Sequence, residues 1–442
     1  MTSEGGPAHR PRNRGATLAP KLRFPEFENA DGWKESPLHK LARPVTERAT
    51  DNDADMVLTL SGEHGLVLQR EYFGKKIAGD STDRYLRILR DDFVYNDRTT
   101  KASSFGTIKR LSRYPAGIVS PIYKCFRFQP SENAAFWEWY FESGSHDPAL
   151  GRLINEGARA GRFNISVSQF LTTEAWRPTE QEQQRVADCL AATDAVVRAQ
   201  AQKVKALSAH RRGLKQKLFP LKGEAVPRLR FGEFGGSGDW EETPLSALVS
   251  ALNAGVSVNS GDRLANGDEI GVLKTSAVTS GVFDPLENKV VYDDEEISRV
   301  KEPVRADTII ISRMNTPKLV GASAYVEREF PNLFLPDRLW AAKPRPSTCM
   351  RFLAFVLGSD VGRSALSNLA GGSSGSMKNI SKPDVLAMTI RVPSPSEQQR
   401  ITDCLMSLDN LIAAETRKLE ALNVHMKGLM REIFPRMGDV AA

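Results

Sequence analysis

The amino-acid sequence predicts an α+β fold made of a duplicated half-chain, in which each copy ends in a long helix. Residues 182–220 are repeated at residues 397–435 with a constant offset of 215 and 17 identical positions. The stretch before each repeat mixes short strand-like runs with helical patterns, which is typical of an α+β domain. A repeat period this long indicates two similar domains rather than a solenoid of small units.

The repeated stretch has the apolar spacing of a coiled coil. Positions a and d of about five heptads are mostly apolar in both copies, which is the pattern of a two-stranded seam. The alternative, in which each helix packs only on its own domain, does not require so regular a spacing. The predicted seam residues are Leu190, Val197, Val204, Leu207 and Leu214 in the first copy, and Leu405, Ile412, Leu419, Leu422 and Leu429 in the second.

Shorter repeats mark the beginning and the end of each domain. Residues 20–27 match residues 227–234 at an offset of 207, and Asn164-Ile165-Ser166 matches Asn379-Ile380-Ser381 at an offset of 215. The sequences between these repeats barely resemble each other. Similar ends with dissimilar middles indicate that two domains of one architecture perform the same task on two different targets. The predicted segments are a disordered basic tail at 1–19, a domain at 20–178, a helical spacer at 179–220, a linker at 221–226, a second domain at 227–393, a second helical spacer at 394–435 and a tail at 436–442.

The composition predicts a cytoplasmic protein with a weak preference for polyanions. The net charge is +6 and the isoelectric point is near 9.0, which favours an anionic partner. No apolar run approaches the roughly 18 residues of a transmembrane helix, and the N-terminus lacks the apolar stretch of a secretory signal. The four cysteines are too far apart in sequence for a zinc knuckle, so we expect reduced thiols and no metal site.

Residues 98–127, which we call the basic window, contain seven Lys or Arg residues and no Asp or Glu. Because the window itself holds no acid, we expect this charge to be unneutralised and available to DNA phosphates. The alternative is a solvated charged surface without a ligand. The candidates for DNA contact in and beside the basic window are Asn96, Arg98, Lys101, Lys109, Arg110 and Arg113.

Further stretches carry candidate DNA-binding residues. A glycine-rich loop leads into each Asn-Ile-Ser motif, and glycine lets the backbone approach a phosphate closely. The alternative is that both loops are flexible connectors. Residues 312–318 follow an apolar strand and contain Arg and Asn, the residue types that read guanine and adenine. The candidates in these stretches, with one lysine after another short strand, are Arg159, Arg162, Lys274, Arg313, Asn315, Lys318, Ser374 and Lys378.

Motifs of catalysis and of cofactor binding are missing from the sequence. It contains no Walker A loop, no helicase motif of the DEAD type and no glycine-rich dinucleotide fingerprint. It also lacks the Asn/Asp-Pro-Pro-Tyr/Phe motif of methyltransferases. We therefore predict no catalytic residue and no cofactor bound by this chain.

The order of these motifs resembles the specificity subunit of type I restriction-modification enzymes, over roughly residues 20 to 435. Each piece is short, and it is their order together with the duplication that makes the resemblance specific. Residues 1–19 fall outside it. The residues that carry it are Leu22-Arg23-Phe24-Pro25-Glu26-Phe27 with Trp33 and Leu38, Gly117-Ile118-Val119-Ser120-Pro121, Asn164-Ile165-Ser166, Glu182-Gln183-Gln184-Arg185 through Phe219-Pro220, and the second-half equivalents.

The resemblance implies two target-recognition domains, each reading one half of a split double-stranded DNA site, and helices that pair as an antiparallel coiled coil. It implies a noncatalytic subunit that docks two modification (methyltransferase) subunits and can recruit two restriction subunits. S-adenosylmethionine, ATP and Mg are then expected on those partners. No motif of the family identifies the base-contacting residues. The residues alone also allow a stand-alone two-domain DNA-binding regulator, or a scaffold without a DNA role, against which the basic window argues.

Overall fold

The computed structural model describes residues 17–50, 53, 55–74, 82–99, 103–153, 163–371 and 377–436. The chain divides into two compact units: unit 1 is Met1–Ala201 with Arg417–Ala442, and unit 2 is Gln202–Thr416. Both divisions fall inside the long helices, so each unit contains one domain of strands and helices together with parts of both long helices.

The described strands of unit 1 are β1 (Thr17–Leu18), β2 (Trp33–Pro37), β3 (Ala42–Pro44), β4 (Leu58–Ser61), β5 (Gly65–Leu68), β6 (Leu86–Leu89), β7 (Phe93–Asn96), β8 (Thr107–Arg110), β9 (Ala116–Val119), β10 (Lys124–Phe128) and β11 (Glu174–Arg177). Its helices are α1 (Gln69–Phe73), α2 (Ala134–Glu142), α3 (Asp147–Leu153), α4 (Val167–Leu171) and the first part of α5 (Glu180–Leu218). Strand β1 lies within the predicted tail 1–19 and pairs with β2. Residues 1–16 of that tail lie outside the described residues.

The central sheet of unit 1 is antiparallel, with the strand order β3-β10-β7-β8. A second sheet, β1-β2-β11, joins the beginning of the domain to the strand that precedes α5. The core is aromatic: Phe93 stacks on Phe126 with ring centroids 5.4 Å apart, and Phe128 stacks on Trp137 of α2 at 4.7 Å. These rings lie on one face of the sheet because alternate residues of a strand point the same way.

The described strands of unit 2 are β12 (Glu241–Pro244), β13 (Val249–Ala254), β14 (Gly271–Leu273), β15 (Asn288–Val290), β16 (Pro303–Val304), β17 (Thr308–Ser312), β18 (Met314–Asn315), β19 (Ser323–Val326), β20 (Phe330–Phe334), β21 (Leu339–Pro344), β22 (Lys378–Asn379) and β23 (Thr389–Val392). Its helices are α6 (Leu245–Leu248), α7 (Asp294–Arg299), α8 (Met350–Leu357), α9 (Asp360–Asn368), α10 (Lys382–Ala387) and the first part of α11 (Pro395–Ile433).

The central sheet of unit 2 repeats the topology of unit 1. It is antiparallel with the order β13-β21-β17-β19, and the pair β12-β23 takes the place of β2-β11. Its core is mainly aliphatic, with Ile309 and Ile311 of β17 fully buried. Unit 2 also contains the sheet β15-β14-β20-β16, in which β14 and β20 are parallel. Two domains with little sequence similarity therefore share one strand order.

Helices α5 and α11 run antiparallel. In unit 1, Leu190 near the start of α5 shares a buried core with Met426 near the end of α11. In unit 2, Leu218 at the end of α5 shares a buried core with Leu405 near the start of α11. All ten predicted seam residues are buried or half-buried. The predicted fold class, two α+β domains with an antiparallel pair of long helices, is confirmed. No helix in the described ranges is long and apolar enough to cross a membrane.

The repeated motifs dock the long helices on their domains through two buried ion pairs, which we call the helix-start ion pairs. In unit 1, the Arg23 guanidinium donates to both carboxylate oxygens of Glu182 at 2.9 and 2.8 Å, and Trp33 Nε1 donates to the same group at 2.9 Å. In unit 2, Arg230 binds Glu397 in the same way at 2.8 and 2.7 Å. Both glutamates are only 1% exposed. These motifs are therefore structural.

Candidate nucleic-acid interface

The basic window is largely neutralised by acids from outside it. Lys109 pairs with Glu142; the other pairs are Arg110 with Asp91 at 2.9 Å and Glu138 at 2.7 Å, Lys124 with Asp97 at 2.6 Å, and Arg127 with Asp92 at 2.5 Å. Hydrogen bonds to Asp92 raise the pKa of Arg127. The expectation of an unneutralised window is wrong, because strand pairing and helix α2 bring acids that are distant in sequence.

Other candidates of unit 1 are more open. Arg98 is exposed just after β7, and its backbone amide donates to Asn96 Oδ1 at 3.2 Å. Arg113 is exposed and lies over the Tyr114 ring at 5.4 Å. Arg98 and Arg113 therefore remain the candidates of the basic window whose charge is available. The candidates Lys101, Arg159, Arg162 and Ser374 lie outside the described residues.

The Asn-Ile-Ser motif has the same place in both units, at the end of the third strand of the central sheet. In unit 1, the Ile165 amide donates to Asp97 Oδ2 at 3.2 Å, just after β7. In unit 2, the Ile380 amide donates to the Arg313 carbonyl at 2.9 Å, just after β17. The motif serines, Ser166 and Ser381, then cap α4 and α10. The Asn-Ile-Ser motifs therefore lie at equivalent corners of the two sheets.

At this corner of unit 2 the structure brings together four of the predicted residues. Strand β18 pairs with β22, so that Asn315 lies opposite Lys378, and Arg313 directly precedes β18. Asn315 is 9% exposed; its Nδ2 donates to Ser312 Oγ at 3.3 Å and its Oδ1 accepts from the Thr316 amide at 2.8 Å. Its side chain therefore shapes the loop. Lys318 is exposed two residues beyond Thr316.

Sequence reasoning missed one cation at this corner. The exposed Arg338 lies just before β21, and its carbonyl accepts from the Arg313 amide at 3.0 Å. We call Arg313, Lys318, Arg338 and Lys378 the cationic corner. Among the described residues, no carboxylate lies within ion-pair distance of Arg313, Lys318 or Arg338. Arg338 could not be found in the sequence because it is a lone arginine, more than 20 residues from Arg313.

Lys274 belongs to a different part of unit 2. It follows β14, in the sheet β15-β14-β20-β16, and lies 3.7 Å from Glu287. The structure places it in another sheet from the one that ends at the cationic corner, and its charge is partly compensated. Arg313 behaves differently: it is half-buried and lies over the Trp340 ring at 5.8 Å. An arginine held by an aromatic ring keeps its remaining donors in a fixed direction.

Residues 238–424, which cover the domain of unit 2 and much of α11, match the family model of the type I restriction modification DNA specificity domain. This range of the chain is therefore similar to a type I DNA specificity domain. The matched range includes all four residues of the cationic corner and Glu397, while Arg230, the partner of Glu397, lies just before it. The resemblance to type I specificity subunits that the sequence indicated is confirmed.

Relatives and solved structures agree with this family. A putative type I restriction enzyme MjaX specificity subunit of Methanocaldococcus jannaschii is 20% identical over 200 residues, 45% of this chain and 46% of that protein. The chain thus matches about half the length of that curated relative. A chain from a structure on assembly and conformational transition of the type I R-M system has a TM-score of 0.54 at 16% identity, with 92% of this chain and 98% of that one covered. The S subunit of a type I system from M. genitalium has a TM-score of 0.53 at 17% identity, with 95% and 100% covered. At these identities the likeness concerns the fold.

Proposed function

We propose that this chain is the noncatalytic DNA-recognition subunit of a type I restriction-modification complex. Each unit reads one half of a bipartite site, and the chain docks two methyltransferase subunits. The observation that carries the proposal is the repetition of one central sheet in two units whose sequences differ. A constant frame with different corner residues is what two readers of different half-sites require.

Charge supports a DNA ligand at the cationic corner. Among the described residues, Arg313, Lys318 and Arg338 have no carboxylate partner, which favours a polyanion, and arginine and lysine bind phosphates or guanine edges. Arg98 occupies the related place in unit 1, beside the Asn164-Ile165-Ser166 motif. In this proposal both corners face DNA, and the paired cations of the basic window hold the sheet of unit 1 together.

The long helices offer surfaces for the partner subunits. Val196 and Val424 on the helices of unit 1 are 54% and 71% exposed, and Leu411 on the helix of unit 2 is 42% exposed. Val196 and Leu411 are equivalent in the repeat, at an offset of 215. A single exposed apolar side chain is common on proteins, but the same exposed apolar position in both repeats gives one surface feature that occurs twice. Equivalent surfaces on two units suit two copies of one methyltransferase, which would carry S-adenosylmethionine; ATP and Mg would belong to restriction subunits.

A methylation map tests the proposal. The full chain is co-expressed with the modification subunit encoded beside it, and methylated adenines are mapped by single-molecule sequencing. We expect a new motif of two short half-sites around a fixed nonspecific gap. A complex without a new motif would refute recognition by this chain. Failure to co-purify with large partners would favour the alternative, a stand-alone two-domain regulator.

The length of the helices is expected to set the gap in that motif. Each helix has 39 residues, or about 58 Å at 1.5 Å per residue. One heptad inserted after Ala201 and another after Thr416 would lengthen both helices by about 10 Å, on the order of 3 base pairs. The map should then show a longer gap and unchanged half-sites. A four-residue insertion at the same points breaks the heptad and should abolish the complex. An unchanged gap would contradict the spacer role.

Arg313→Ala is expected to weaken DNA binding about 10-fold or more, because a good arginine contact to guanine contributes ~1–3 kcal/mol. The measurement is the Kd of the complex for duplexes altered in either half-site, at one fixed salt concentration. The loss should appear for the half-site of unit 2 only. Arg263→Ala is the matched control, because Arg263 is exposed in the same unit and paired with Glu269 at 2.6 Å. Equal Kd values for the two variants would contradict a role for Arg313.

A further inference from the structure

Helix α9 supports the loop of the cationic corner through Arg363. Arg363 Nη2 donates to the Lys318 carbonyl at 3.0 Å. Leu366, one turn further along α9, lies under Gly321, where an added Cβ would come within 2.8 Å of Leu366 Cβ and the backbone φ is +74°. Only glycine adopts this conformation readily with so little space. The loop between Arg313 and Gly321 is thus held against α9 at two points.

Arg363 has an unusual charge environment. Its side chain is half-buried, and Nη1 is fully buried without a hydrogen-bond partner among the described residues; the same holds for Nε of Arg313. No described carboxylate lies within ion-pair distance of Arg363. Because burial removes the guanidinium from water, it lowers the pKa of Arg363. A cation removed from water without a counter-charge destabilises a folded protein.

Apart from Arg313, the other half-buried arginines in the described ranges are paired with acids. Arg23 and Arg230 bind Glu182 and Glu397 in the helix-start ion pairs, and Arg351 of α8 donates to Glu327 at 2.8 Å. Arg313 and Arg363 therefore depart from the pattern of the other half-buried arginines in the described part of the chain. Such a departure is typical of a binding site, where charges that complement the ligand lower the stability of the protein without its ligand.

We infer that Arg363 is a positioning residue of the DNA site: it holds the Lys318 loop and adds an uncompensated charge that the phosphodiester backbone of bound DNA neutralises. This inference rests on the proposed function. Nη1 is buried, so Arg363 acts through the loop and through its field rather than as a base reader. Bound phosphate then supplies the negative charge that the free protein lacks.

The test compares three variants in the full chain, purified with the methyltransferase subunit. Arg363→Met removes the charge and keeps an unbranched side chain of somewhat shorter length, while Arg363→Lys keeps the charge. Arg351→Met is the matched control, because Arg351 lies on the preceding helix α8 and has an acidic partner, Glu327, at 2.8 Å. The measurements are the thermal midpoint without DNA and the Kd for duplex DNA at several salt concentrations.

For Arg363→Met we expect an unchanged or higher thermal midpoint, a Kd raised at least 5-fold, and a salt dependence of binding that falls by about one ion. Arg363→Lys should restore most of the affinity. Arg351→Met should lower the midpoint and leave the Kd unchanged. If Arg363→Met lowers the midpoint and leaves the Kd unchanged, the inference about Arg363 is wrong, while the proposed function still stands. A wild-type complex without salt-dependent DNA binding would overturn the proposed function and this inference with it.

Discussion

Glu397→Ala is expected to lower the free energy of unfolding by about 3–5 kcal/mol, because it leaves the Arg230 guanidinium buried without a counter-charge. The Glu397 side chain is 1% exposed and that of Arg230 is 13% exposed, with the closest N–O distance at 2.7 Å. Arg230 also donates to the carbonyls of Ser237 and Gly238 at 2.7 and 3.0 Å, so it cannot turn toward water without losing them. Urea unfolding of the full chain, followed by tryptophan fluorescence, measures the effect.

A neighbouring ion pair gives the control. Arg400 lies one turn after Glu397 and pairs with Glu233 at 3.0 Å, but both side chains are 51% exposed. Glu233→Ala should therefore cost less than about 1 kcal/mol, as exposed ion pairs do. The double variant Arg230→Ala with Glu397→Ala should recover part of the loss, because no charge is left unpaired. Equal losses for Glu233→Ala and Glu397→Ala would contradict a stabilising role that depends on burial.

The helix-start ion pairs also show what the sequence could and could not predict. Duplication made the motifs around Arg23 and Glu182 visible as a frame, since each recurs in the second half. Their contact, however, joins residues 159 positions apart, and spacing along the chain carries no information on that distance. The heptads of α5 and α11 were predictable because a seam repeats locally, every seven residues. The central sheets were not, since their strands pair across long and dissimilar loops.

Charge was the least predictable property of the candidate site. Arg110 and Arg127 belong to a stretch without acids, yet folding brings Asp91 and Asp92 to them across the turn from β6 to β7 and the strand pairs of the sheet. Arg313 was predictable, because it stands at the end of an apolar strand. Arg363 was not, because its importance lies in the absence of a neighbouring carboxylate, which only a folded chain defines.

The buried side chain of His146 is expected to make the folded protein less stable in acid, independently of the DNA site. Its ring is buried between Tyr140, Phe141 and Phe170, and Nε2 lies 3.0 Å from Thr173 Oγ1. Burial, with a smaller contribution from the charge of Arg152, lowers the pKa of His146 to about 3. In the unfolded chain the pKa is near 6.5. The unfolded state therefore takes up the proton first as the pH falls, and protonation favours unfolding.

The contribution of His146 is thus complete above pH 6.5 and is lost progressively between pH 6.5 and about 3. In this range one group loses about 1.4 kcal/mol of stability per pH unit, so the total is on the order of a few kcal/mol.

His146→Gln keeps a polar side chain that does not titrate, and His210→Gln is the control because His210 is exposed on α5. Urea unfolding at pH 7.5, 6, 5 and 4 measures the difference between each variant and wild type. For His146→Gln the difference should shrink steadily below pH 6.5, because only wild type carries the acid-sensitive group; carboxylates that titrate below pH 5 affect all three proteins equally. If the difference in the free energy of unfolding between His146→Gln and wild type is the same at every pH, the His146 ring has the same pKa in the folded and unfolded states.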